Sequence, residues 1–218
     1  MCMTIKNPPH NCQLCPRLAA FRAENQAKFP DKFNAPVPPF GSESAEVLIV
    51  GLAPGLKGAN FTGRPFTGDF AGELLYGTLI KYGFAIGEFK ARPDDGLQLV
   101  NCLITNAVRC LPPENKPTGP EINTCLQFLI SQIDNMPNLK IIVSLGLVSH
   151  NAVLKSSGEK LSANKFAHKS IHQLQNGITL IDSYHCSKCH HSTKRLTEPM
   201  FHKIFEYVNK KLTNLDIN

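Results

Sequence analysis

Val47-Leu48-Ile49-Val50-Gly51-Leu52-Ala53-Pro54-Gly55, followed at a short distance by Gly63-Arg64-Pro65-Phe66-Thr67-Gly68-Asp69, joins an apolar run to a compact loop that ends in a carboxylate. The first four residues are branched and apolar without alternation, the pattern of a strand buried on both faces, and the Gly/Pro run after them forces an immediate turn. In an open parallel sheet such turns lie at the carboxyl ends of the strands, where ligands bind. The stretch is not a phosphate-binding P-loop, because Lys57 is followed by Gly58 instead of Ser or Thr and the glycine spacing differs.

Outward from this strand the same grammar repeats. Leu99 to Val108, Leu139 to Leu145 and Thr179 to Ser183 read as further strands. Helices are predicted over Ala71 to Tyr82, Pro120 to Ile133, from Gly146 to about Leu154, and from Glu198 to Leu212, each with an apolar stripe at helical spacing. Alternating strands and helices predict an α/β fold: a three-layer α/β/α sandwich around a central four-stranded parallel sheet. A chain of 218 residues suits one domain spanning 1–218, with no repeat and no composition break. Residues 1–45, rich in Pro and polar groups with a short helix near Leu18 to Ala27, read as an N-terminal arm.

No apolar run is long enough for a membrane span and the N-terminus lacks a signal-peptide core, so the cytoplasm and a monomeric state are expected. The formal net charge of +6 permits a polyanionic partner without identifying one. Eight cysteines in such a chain argue for metal ligands and buried thiols over disulfides. Two groupings compete: Cys12 and Cys15 with Cys110 and Cys125, and Cys186 and Cys189 beside His185, His190 and His191. Cys2 reads as a tail thiol and Cys102 as a buried strand thiol.

Several segments together resemble the uracil-DNA glycosylase superfamily, specifically its iron–sulfur-containing families 4 and 5. They are Gly51 to Gly55, Gly63 to Asp69, Asn106 to Cys110 with Pro112-Pro113-Glu114-Asn115-Lys116-Pro117, and Ser183-Tyr184-His185-Cys186-Ser187. Family 4 resembles Gly-Glu-Ala-Pro-Gly in the first motif, where this chain has the apolar Leu52. Family 5, often called type b, lacks a polar residue there and carries an Asp at the position of Asp69, so the resemblance favours family 5. Phe70 departs from the basic or polar residue unsurprising at its position.

The resemblance implies a [4Fe–4S] cluster on Cys12, Cys15, Cys110 and Cys125, two of them supplied by the arm; zinc is the rival occupant of four thiolates. It implies a monofunctional DNA glycosylase that removes uracil, and other deaminated bases such as hypoxanthine and xanthine, from DNA. Gly51, Ala53, Phe66 and Asn106 would form the base pocket, with Phe66 as stacking platform and Asn106 reading a pyrimidine edge through its amide. His185 would hydrogen-bond the departing base, and Asp69 would stabilise the sugar cation and orient water.

The plainer readings stand beside these. Phe66 is a core aromatic, Asn106 a turn residue, and Asp69 the cap of the helix near Ala71. Ser187, Lys194 and Arg195 are candidate phosphate contacts, and Leu196 a candidate wedge into the vacated base stack or an ordinary core Leu. His168, in Phe166-Ala167-His168, is a candidate phosphate or pocket contact. Competing functions are a catalytically inactive iron–sulfur DNA-binding protein, a narrow family 4-like enzyme, and an unrelated α/β enzyme acting on free nucleotides.

Overall fold

A computed structural model describes residues 7–187 and 192–215 of the protein. Four parallel strands form the centre of the sheet: β2 (Val47–Gly51), β5 (Cys102–Asn106), β6 (Ile141–Leu145) and β8 (Thr179–Ser183). Every residue of these strands is buried. Their branched apolar runs lack alternation because both faces are covered.

The sheet has six strands where four were expected. β1 (Phe40–Gly41) adds antiparallel to β5 and β7 (Ile171–Gln173) antiparallel to β8, giving the order β1-β5-β2-β6-β8-β7. Both edges are too short to show a period of two, and β1 lies just after the Pro-rich stretch of the arm. The strand expected from Leu99 to Val108 is interrupted. β4 (Gln98–Leu99) pairs instead with β3 (Ala85–Ile86), and Asn101 turns the chain with φ of 50° before β5 begins.

Alternate side chains of the sheet feed two apolar cores. On one face Val47, Ile49, Ile104 and Val143 meet α3 (Phe70–Lys81) through Leu75 and Leu79, and α6 (Glu198–Leu215) through Phe201, Ile204, Phe205 and Val208. On the other, Leu48, Val50, Leu103, Ile142 and Leu180 meet α4 (Gly119–Asp134) and α5 (Leu147–Ser156) through Leu129, Ile133, Val153 and Leu154. Thr118 begins α4 with a capping box, its hydroxyl accepting from Glu121 N while the Glu121 carboxylate accepts from Thr118 N.

The arm packs on this sandwich through α1 (Pro16–Lys28), whose Leu18 joins Val108, Cys125 and Phe128 in a third cluster. Asn34 fastens it further: its amide donates to Phe29 O at 2.7 Å and its carbonyl accepts from Asn60 Nδ2 at 2.8 Å. Asn60 lies in α2 (Ala59–Thr62), a single turn between the two glycine-rich motifs.

Candidate active site

The carboxyl ends of β2 and β5 lie side by side, with Gly51 paired in register with Asn106. Beneath them is Phe66. A Cβ on Gly51 would stand 2.5 Å from Phe66 Cζ and would overlap Asn106 Oδ1, so close approach of two functional side chains requires glycine here. The ring of Phe66 is 6% exposed, and its backbone is left-handed at φ 52°.

That conformation is held from outside. Arg64 grips Asp95 with two parallel bonds of 2.7 Å and donates Nε to Thr67 Oγ1 at 2.7 Å, while Tyr76 Oη donates to Pro65 O at 2.6 Å. The Arg64 guanidinium, joined by backbone N–H groups of Lys90 and Leu97, holds the Asp95 carboxyl well below the usual carboxylate range. Asp95 was not foreseen as part of this machinery. Nothing in Arg92-Pro93-Asp94-Asp95-Gly96 marks one acidic residue over its neighbour, because the partner is remote in sequence.

Asp69 caps α3, its Oδ1 accepting from Gly72 N at 3.2 Å. Its Oδ2 turns the other way: a Cβ on Gly58 would lie 2.5 Å from it and one on Gly55 3.5 Å. Burial raises the Asp69 pKa above the ordinary carboxylate value, while N–H groups of Gly72 and Ala71 oppose the shift. His185, two residues past β8, faces Phe66 with ring centroids 6.1 Å apart and planes 31° apart.

Asp69, His185, Phe66, Asn106 and Ala53 enclose a recess of about 30 Å³. It shares Ala53, Gly55, Asp69, Ala71 and His185 with a cleft of about 690 Å³, into which Lys57, Asn115 and Ser187 also project. At roughly 10–15 Å³ per water, the recess holds a solvent molecule or two and must widen for a base. Two face-on contacts at ~3.5 Å each need about 7 Å between rings, more than separates Phe66 from His185. A planar ligand stacked on Phe66 therefore meets His185 at its edge, where an imidazole N–H can donate.

The cysteines fall into one grouping. Cys12, Cys15, Cys110 and Cys125 line a single small cavity between α1, α4 and the loop after β5. Burial pushes the Cys110 thiol up to about 12 and Cys125 to about 11, so thiolates there need compensating positive charge. One cation and one backbone donor stand ready: Arg22 Nη1 lies 3.9 Å from Cys110 Sγ, and the backbone N–H of Arg109 donates to Cys125 Sγ at 3.4 Å. The Arg109 side chain is 1% exposed with Nη2 lacking a protein acceptor.

The second grouping is not assembled among the described residues. Cys186 is 1% exposed in the apolar core beside α6, and Cys189, His190 and His191 lie outside the described residues. Cys102 is the buried strand thiol expected, and Cys2 is outside the described part.

Two candidates change role. Leu196 is 1% exposed and packs with Phe201, Phe205 and Leu79, so it is a core residue and not a wedge presented to a duplex. The apolar environment of α6's amino-terminal turn claims it. His168 stacks on Tyr184 at 5.2 Å and its Nδ1 accepts the Tyr184 N–H at 3.3 Å, which makes it a support of the His185 loop. Lys194 and Arg195 are exposed as expected, with the Arg195 guanidinium 4.8 Å above the Tyr184 ring.

A carboxylate, an imidazole, a buried aromatic and an amide are thus gathered at the carboxyl ends of the sheet's parallel strands. The family model of the Uracil DNA glycosylase superfamily matches residues 38–209, and the chain belongs to that superfamily. It is 40% identical over 195 residues to a type-5 uracil-DNA glycosylase of Thermus thermophilus, covering 87% of this chain and 89% of the relative. A type-5 uracil-DNA glycosylase of Mycobacterium leprae is 38% identical, covering 91% and 90%. Similarity to a type-4 uracil-DNA glycosylase of Pyrobaculum aerophilum is 36% over 151 residues, covering 69% and 63%. The longer matches are thus to type 5, in keeping with Leu52 in the first motif. Among the described residues no helix is long and apolar enough to cross a membrane.

Proposed function

We propose that the protein is a monofunctional DNA glycosylase that hydrolyses the N-glycosidic bond of uracil, and of hypoxanthine and xanthine, in DNA. The observation that carries this reading is the placement of Asp69 Oδ2 and His185 on one recess floored by Phe66 and Asn106. An inactive DNA-binding protein has no use for that pair. The base leaves the duplex, stacks on Phe66 and presents its edge to the Asn106 amide. Among the described residues no protein group takes up a hydrogen bond of that amide, which leaves it for ligand.

Cleavage develops positive charge on the sugar and negative charge on the base. Asp69 Oδ2 stabilises the first and orients the attacking water, and an N–H of His185 donates to the second. The backbone of Gly51 and Ala53 borders the base, and the absence of a polar side chain at Leu52 removes one means of rejecting a purine, hence the wider base range. Ser187 lines the cleft and the Arg195 guanidinium stands over Tyr184, next to His185; with the exposed Lys194 they serve as phosphate contacts.

Cys12, Cys15, Cys110 and Cys125 would hold a [4Fe–4S] cluster that ties residues 1–45 to the loop after β5 within one domain. Zinc, which four thiolates also bind, is the rival occupant. The net negative charge of a four-thiolate cluster matches the buried Arg109 and Arg22. Such thiolate ligands suit a reducing compartment, the cytoplasm, and in this reading the protein acts as a monomer.

The test is incubation of the cluster-loaded protein with oligonucleotides carrying uracil, hypoxanthine or xanthine, followed by cleavage of abasic sites. Strand breaks at each modified position are expected, and none at unmodified DNA. Absence of abasic sites despite tight DNA binding would favour the inactive binding protein instead.

A further inference from the structure

Behind the His185 loop lies a buried polar cluster with no part in the chemistry just described. Asp182 of β8 is fully buried, and its Oδ1 accepts from Ser144 Oγ at 2.8 Å and faces His150 Nδ1 at 2.8 Å. Its Oδ2 faces His172 Nε2 at 2.9 Å. The other nitrogen of His150, Nε2, donates to Asn164 O at 2.9 Å. Both ring nitrogens of His150 thus meet oxygen partners. Three side chains, Ser144, His150 and His172, thus converge on the one buried carboxylate.

The unit joins the elements that surround His185. His150 lies one turn into α5, and Gly146, which precedes that helix, donates its N–H to Ser183 O at 2.8 Å and approaches His185 Cβ. His172 fixes β7. Asn164 begins the segment whose Phe166 lies 6.0 Å from Tyr184 and whose His168 accepts the Tyr184 N–H. The backbone closes the frame, with Lys169 N donating to Asp182 O at 2.7 Å and Asp182 N to Ser170 O at 2.9 Å. Only Ser183 and Tyr184 separate Asp182 from His185, and the Tyr184 N–H and ring are met by His168 and Phe166, on the segment that Asn164 begins.

We propose that Asp182, clasped by His150 and His172, is a positioning residue that sets the place of His185 in the recess. The inference rests on the reading of His185 as the group that assists base departure. Unlike a packing residue, a positioning residue acts on the chemical step through one other side chain, and its loss is not felt once that side chain is gone.

The experiment is single-turnover excision of uracil at saturating enzyme, with DNA affinity measured in parallel. The variants are Asp182→Ala, Asp182→Asn, His172→Ala and His185→Ala, and the doubles that combine each of the first three with His185→Ala. Displacement of a catalytic group by about 1 Å costs up to ~10²-fold, so Asp182→Ala is expected to slow excision ten- to a hundredfold with DNA affinity unchanged. Asp182→Asn, which offers an acceptor and a donor in the same plane, restores most of the rate. In the doubles the loss equals that of His185→Ala alone.

His172 is at the sheet edge with its side chain 11% exposed, so His172→Ala carries the same test if Asp182→Ala fails to fold. Losses that multiply in the doubles, or wild-type rates for His172→Ala and Asp182→Ala, would overturn the proposal. So would one tightly held Zn²⁺ per chain that disappears in Asp182→Ala, since the cluster would then be a metal site. If His185→Ala excises uracil normally, the role given to His185 fails first, and the two failures are told apart.

Discussion

The Asp69 carboxylate lies directly over Gly58: any Cβ at that position would stand 2.5 Å from Oδ2, and 3.1 Å from Cγ. Its other oxygen is spent on Gly72 N at the start of α3. One carboxylate therefore serves two masters, a helix end and a cleft, and the glycine is what lets the second oxygen reach the recess. The helix cap fixes the side chain's rotamer, so the cleft-facing oxygen is held in place before substrate arrives.

Asp69→Asn separates the two roles. Asparagine caps helices as well as aspartate, so α3 keeps its Gly72 bond. The folded-state pKa of Asp69 is raised by burial, so between the unfolded and folded values the native state binds more protons and stability falls as pH rises. Above that window the ionised carboxylate costs stability that asparagine does not. A melting temperature at neutral pH equal to or above wild type is expected, with single-turnover excision of uracil slowed ~10²-fold or more. In the wild type, excision should fall as pH drops through the raised pKa. Near-normal excision by Asp69→Asn would reduce Asp69 to a cap.

Gly58→Ala moves the same oxygen without touching the carboxylate. The added methyl would stand 2.5 Å from Asp69 Oδ2 and must displace it. Excision should fall at least tenfold while the cluster and the fold remain, measured by rate, absorbance and melting temperature. Gly55→Ala, with 3.5 Å to the same oxygen, is an ordinary contact and should retain most activity.

The sequence makes the central sheet legible because its strands are short, branched and uniformly apolar, and the helices because their stripes and caps are local. The places of Asp69 at the foot of α3 and His185 past β8 were readable because each sits at a fixed offset from an element end, while the roles given to them came from the resemblance to the glycosylase superfamily. The edges β1 and β7 were not readable, being two and three residues long. Neither was Asp95, since a bidentate pair with Arg64 across 31 residues leaves no local trace. The Asp182 cluster is hidden in a different way. A charged residue inside Leu180-Ile181-Asp182-Ser183 signals something, but its partners lie on α5 and β7.

Cys110→Ser tests the cluster. Purified without air, the wild type should be brown with broad absorption near ~400 nm and about four irons per chain. The variant should lose the colour and the iron, and with them much of its solubility, because Cys12 and Cys15 then no longer tie the start of the arm to the loop after β5, although Arg17–Glu121, Val37–Arg109 and β1 still hold the rest of it. Arg109, already lowered to about 10 by burial, is left without the negative charge that favours its protonated form, which adds to the loss. A colourless wild type holding one zinc would assign the four thiols to zinc.

Leu196→Ala distinguishes a core residue from a wedge. At 1% exposure among Phe201, Phe205 and Leu79, Leu196 fills space that alanine leaves empty, and such truncations cost about 2–5 kcal/mol. The segment that carries it also carries Lys194 and Arg195, so loosening it weakens the phosphate contacts as well. Both consequences are blind to whether the substrate is paired. The variant should therefore melt well below wild type and lose activity to the same extent on single-stranded and duplex uracil substrates. A wedge would behave otherwise, sparing the single strand, where no stack needs holding open, and failing on the duplex. Selective loss on duplex at unchanged stability would move Leu196 from the core to the DNA interface.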